Sequence, residues 1–70
     1  MTTEDFRKEV GKRIRFYREK TGLTQEQLGR LVNANRFYIS QIESGRKNVS
    51  VTRLSEILKV LDLKMEISFI

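Results

Sequence analysis

The stretch LTQEQLGRLVNANRFYISQIESG, residues 23–45, decides how this chain is read. It holds two short helical patterns separated by a corner too small for anything but a turn. Thr24 and Gln27 form a capping box, in which the hydroxyl accepts the Gln27 amide and the Gln27 side chain reaches back. Leu23 and Leu28 flank that cap as a hydrophobic staple. Leu28, Leu31 and Val32 supply the apolar stripe of the first helix, and Asn33 stops it, because Asn tolerates the left-handed conformation. Asn35 is placed to cap a second helix whose core-facing residues are Ile39 and Ile42. Gly45 lies just past its end, where glycine is favoured.

Two capped helices joined by a corner of about three residues match a helix-turn-helix, in which the second helix enters a DNA major groove. That second helix opens on Arg36, Phe37 and Tyr38.

Upstream, a longer helix is expected from about Glu4 to Lys20. Thr2 or Thr3 is its cap, and Glu4 and Asp5 favour its positive end. Phe6, Val10, Ile14 and Tyr17 recur at helical spacing and are expected to face the core, with Arg7, Lys8, Lys12, Arg15 and Lys20 on a solvated face. Gly22 closes this helix. Downstream, the polar loop GRKNVS at 45–50 brings Arg46 and Lys47 to the surface. Ser50 then caps a further helix, with Val49 and Leu54 as its staple and Leu54, Ile57, Leu58 and Leu61 as its apolar face. From Leu63 to Phe69 apolar residues take every second place, which is the period of a strand. No other segment offers that strand a partner, and an unpaired apolar edge invites pairing with another chain.

Seventy residues allow one small domain, whose limited core gains from an oligomer or a partner. Fourteen basic residues stand against nine acidic, a net charge of +5, and half of the basic ones fall within the first 20 positions. Such an excess suits an anionic partner, most obviously nucleic acid, although surface solubility alone also explains a basic face. The chain has no cysteine and no histidine, which excludes disulfides, thiolate zinc sites and imidazole bases. The nearest thing to a carboxylate cluster, Glu4, Asp5 and Glu9, is explained by the helix N-terminus. No enzyme activity, cofactor or metal is therefore expected. No apolar run approaches the ~18 residues of a membrane span, so a cytoplasmic protein without membrane contact is expected.

LTQEQLG at 23–29, YISQIESG at 38–45 and the S-x-x-x-L at 50–54 together resemble the Xre family, the Cro and phage-repressor type of helix-turn-helix. The similarity runs from about Val10 to Leu61. Gly29 departs from the usual Ala and Asn33 from the usual Gly. Gly29 is read as packing, since glycine inside a helix costs about 1 kcal/mol relative to Ala and is tolerated where helices approach closely. The resemblance implies an all-α, five-helix repressor-type domain over residues 1–62, followed by a short β-strand, 63–70, that pairs across a dimer. It also implies roles for particular residues. Gln25 matches a phosphate-bonding Gln, Asn35 a cap that touches the backbone, and Arg36, Phe37 and Gln41 the positions that reach base edges. Tyr38 and Ser40 complete the expected DNA-facing helix, with closing the core as the alternative role for Tyr38. Arg46, Lys47 and Asn48 match a loop that lies along a phosphate strand, and Arg18 and Glu43 an internal salt bridge. Side-chain chemistry agrees with these roles. Arg bridges guanine O6 and N7, Gln pairs with adenine, and an apolar Phe packs on a thymine methyl.

The strand after the last helix further resembles the HipB-type antitoxins, which implies a homodimer built through Leu63, Met65, Ile67 and Phe69; the alternative is that residues 63–70 fold back as a cap on their own domain. The function expected is a dimeric repressor on a palindromic operator in double-stranded DNA, with a HipA-like kinase toxin as its partner. The alternatives are a stand-alone Xre regulator and a protein-interaction module on the same fold. Arg36, Gln25, Gln41 and the basic loop speak against the last, which has little need of them together.

Overall fold

The computed structural model describes residues 1–61. The strand and dimerisation expected of residues 63–70 lie outside the described residues. Within them the chain forms four helices: α1 (Thr3–Thr21), α2 (Gln25–Leu31), α3 (Arg36–Glu43) and α4 (Val51–Val60). The fold is all-helical as expected, but the five-helix count is corrected to four among the described residues. The segment between α3 and α4 is a polar loop that turns on Gly45.

Each helix begins on a side chain that satisfies an otherwise orphaned backbone amide. Thr2 and Thr24 make full capping boxes with Asp5 and Gln27. Asn35 and Ser50 accept the amides of Tyr38 and Arg53. Hydrogen bonding by Thr2 holds the Asp5 carboxyl below its ordinary value. The first three helices also end alike. Gly22, Asn33 and Gly45 adopt φ of 81°, 54° and 76°, and behind each of them two amides turn back onto the last helical carbonyls. Leu23 bonds Arg18, Ala34 bonds Gly29, and Arg46 bonds Gln41, each beside a bond from the left-handed residue itself to the carbonyl three residues back. These are three Schellman endings. They explain how three helices follow one another with so little chain between them.

α3 packs against both α1 and α2, and α4 against α2. The core consists of Ile14, Leu28, Val32, Ile39, Ile42, Ile57 and Leu61, and Leu28, Ile39 and Ile57 are completely enclosed. Several expected core residues lie elsewhere. Phe6 is 58% exposed, and Tyr17 and Leu31 are also on the surface. Val10, Leu54 and Leu58 are only half-buried. The inward face of α1 runs instead through Arg7, Gly11, Ile14 and Arg18, spaced i, i+4, i+7 and i+11. In α2 the residues turned to the core are Leu28 and Val32, four apart, which leaves Leu31 a quarter-turn off that line.

Gly11 sits where α1 crosses under the last turn of α3. A Cβ there would lie 2.4 Å from the Ile42 carbonyl oxygen and 2.6 Å from that of Glu43. Two effects oppose each other in Gly11→Ala. Helix propensity gains about 1 kcal/mol, while overpacking against a rigid backbone costs about 3 kcal/mol. The clash is expected to win, for a net loss of about 2 kcal/mol in urea denaturation. A gain in stability would show that α1 and α3 do not approach this closely.

Candidate nucleic-acid interface

α3 presents its amino-terminal turn to solvent. Arg36, Phe37 and Ser40 are exposed, Phe37 at 69%, while Ile39 and Ile42 on the opposite side are buried. Gln41 and Tyr38 are half-buried at the flanks of that face. Phe37 thus places an apolar ring beside the Arg36 cation at the exposed start of α3.

Arg36 borders two open depressions. The larger, about 720 Å³, lies between the end of α1 and the starts of α2 and α3, and includes Arg15, Arg18, Gln25 and Glu26. The smaller, about 400 Å³, continues past Arg36 to Asn35 and Phe37. Gln25, Arg36 and Phe37 thus lie along one continuous concave surface. Glu19 and Glu26 are the acidic groups along it, and Glu26 borders both depressions. The Glu26 carboxyl is held below the ordinary value chiefly by a hydrogen bond from Arg30, and further by the field of Arg36.

The floor of this surface is a charged network. Arg18 Nε lies 2.6 Å from Glu43 Oε2 and Arg18 Nη2 lies 3.1 Å from Oε1, a bidentate pair. Arg18 Nη1 also donates to the Leu23 carbonyl at 2.8 Å. Gln25 Nε2 donates to Glu43 Oε1 at 3.1 Å. Both charged side chains are buried, and the bond to Glu43 raises the pKa of Arg18. No buried polar side-chain atom among the described residues lacks a partner. The network ties the end of α1, the start of α2 and the end of α3 together, which fixes the attitude of α3. It also means that the Gln25 carboxamide is held on one side by Glu43.

The loop after α3 carries Arg46, Lys47 and Asn48, all exposed. Arg7 anchors it, donating to the Gly45 carbonyl and to Asn48 Oδ1, both at 3.2 Å. Arg7 was expected on the solvated face; it is half-buried and structural. Its spacing from Gly11 and Arg18 is the signal that places it inward. The Asn48 side-chain oxygen consequently faces α1. Asn35 spends its side-chain oxygen on the Tyr38 amide, 2.9 Å away. Arg53 on α4 had no expected role. Its guanidinium donates to the carbonyls of Val32 and Asn33 at the end of α2 and approaches Glu56. Nothing local in the sequence marks Arg53, because its partners lie about twenty residues away.

Among the described residues no cluster of side chains is fit to hold a metal ion. None of the described helices is long and apolar enough to cross a membrane.

Comparison with known proteins agrees with this geometry. Residues 14–67 match the helix-turn-helix family HTH_3. An uncharacterized HTH-type transcriptional regulator of Archaeoglobus fulgidus is 38% identical over 58 residues, which span 83% of each chain. The control protein C.MunI of a Mycoplasma species is 37% identical over 54 residues, 76% of this chain and 73% of that protein. The crystal structure of the restriction-modification controller protein C.AhdI from Aeromonas hydrophila is similar with a TM-score of 0.85 and 30% identity, over 91% of this chain and 93% of that one. With the capped corner, the exposed face of α3 and these likenesses together, this chain belongs to the Xre-type helix-turn-helix family.

Proposed function

We propose that this protein is a transcriptional regulator that binds double-stranded DNA by laying α3 in the major groove. The observation that carries this reading is the exposed pair Arg36–Phe37 at the start of a helix whose other side is locked into the core. Arg36, Phe37, Ser40 and Gln41 read base edges, Arg36 by a bidentate bond to guanine. Gln25, Arg46 and Lys47 meet phosphates, and a net charge of +5 favours the approach.

The protein acts as a homodimeric repressor on a two-fold operator, its two recognition helices ~34 Å apart, one turn of DNA. The alternating pattern of residues 63–70 supports pairing of that segment across the dimer axis. Likeness to the restriction-modification controller protein C.AhdI favours a second reading, a controller of a restriction-modification gene pair. A HipA-like toxin partner rests on residues 63–70 alone. The neighbouring genes separate these two: a nuclease and a methyltransferase, or a kinase-like toxin.

Titrations of a selected operator duplex and a scrambled one, at several salt concentrations, test the residue roles. Arg36→Ala is expected to lower operator affinity by ~1–3 kcal/mol and to relax preference at one position per half-site. Lys47→Ala is expected to weaken both duplexes alike and to reduce the salt slope by about one. Equal losses on both duplexes for Arg36→Ala would remove it from base reading.

A further inference from the structure

Two cations stand over the Tyr38 ring. Lys47 Nζ stands 5.5 Å from the centre of its ring, and Arg53 Cζ 5.3 Å from the same centre. Both distances lie within the range in which a cation is attracted to an aromatic face. The two cations arrive from different elements and differ in what else they hold. Arg53 is anchored by the Val32 and Asn33 carbonyls just past α2 and by Glu56, so its position over the ring is fixed by other bonds. Lys47 is exposed, in a loop whose other tether, from Arg7, acts on Gly45 and Asn48 and not on Lys47 itself. The ring is therefore the group that restrains the Lys47 side chain. A free lysine loses rotamer entropy when it is fixed, a cost met in advance if it is already held where it is needed.

We propose that Tyr38 is a positioning residue that acts on DNA through Lys47, holding the ammonium beside α3 for a phosphate and not reading a base. This rests on the DNA-binding function proposed above. It divides the helix into two parts. Arg36 and Phe37 face outward toward bases, and Tyr38 is turned toward the loop and α4, half-buried against the core. The attraction needs the ring and not the hydroxyl, so phenylalanine is expected to replace tyrosine here and leucine is not.

The test has one arm without DNA and one with it. In the free protein, ring current is expected to move the Lys47 side-chain methylene protons upfield. The shift is expected to persist in Tyr38→Phe and to vanish in Tyr38→Leu. Binding of a random-sequence duplex is then measured against salt concentration. Tyr38→Leu is expected to weaken binding and to flatten the salt slope as Lys47→Ala does, and the double variant is expected to be no weaker than Lys47→Ala alone. Tyr38→Phe is expected to match the wild type. Additive losses in the double variant, a wild-type slope in Tyr38→Leu, or no upfield shift in the free protein would each overturn the proposal. If Tyr38→Leu does not fold, Tyr38→Phe and the proton shifts of the wild type still decide it. A wild type that shows the shift but binds no duplex would instead overturn the DNA-binding reading.

Discussion

Replacing Arg18 with alanine is expected to cost about 3–5 kcal/mol of folding stability, the range for breaking a buried ion pair from one side. The loss comes less from the missing attraction than from what stays behind. Glu43 remains buried with only Gln25 to bond it, and the Leu23 carbonyl loses its donor. A domain of this size has about 4–10 kcal/mol in all, so the variant is expected to be largely unfolded at physiological temperature. Replacing both partners, Arg18→Met with Glu43→Leu, is expected to recover much of the loss, because no unpaired charge is then buried. Denaturation by urea, followed by circular dichroism, measures each variant. A cost below about 1 kcal/mol for Arg18→Ala would mean that water reaches the pair, as it does in surface salt bridges.

Ile42→Ala is expected to cost ~2–5 kcal/mol, the transfer energy of the lost methyl groups plus the cavity they leave. Ile42 is 2% exposed, in a core with Ile14, Leu28 and Ile39, and its carbonyl is the atom that Gly11 lets α1 approach. The cavity would therefore open at the crossing of α1 and α3, where the backbone has little freedom to collapse. Calorimetry or urea denaturation reads the change. A small loss with unchanged cooperativity would show that the crossing relaxes.

What could be read in the sequence was what is local. Thr24 with Gln27, Asn33, Asn35, Gly45 and Ser50 act within a few residues of themselves, so their caps and turns were all legible. The exposed start of α3 was legible for the same reason, since Ile39 and Ile42 already fix its buried side. What escaped depends on distant partners. Periodicity gives the direction of a stripe but not the width of the neighbour that covers it, so it points Phe6, Tyr17 and Leu31 inward although they lie on the surface. Arg7 and Arg53 look like surface cations until the loop and the end of α2 are folded against them. The fifth helix came from the family resemblance and not from any capped apolar pattern in residues 1–61.

These same distant contacts bear on function. The Arg18–Glu43–Gln25 network and Arg7 touch α3 or the loop after it, and Arg53 stands over the Tyr38 ring of α3, yet none of the three arginines is on the face of α3 that carries Arg36 and Phe37. They set the attitude at which that face is offered, and a recognition helix turned by a fraction of a residue spacing no longer meets the same base edges.

The most direct test of the central claim is methylation interference on the protein's selected operator. Methylating guanine N7 blocks contacts in the major groove and leaves the minor groove open. If α3 reads bases from the major groove through Arg36, guanine methylation is expected to abolish binding at the same position in each of two half-sites, about one helical turn apart and related by a dyad. Binding that is insensitive to guanine N7 methylation, or blocked only by adenine N3 methylation in the minor groove, would contradict the account.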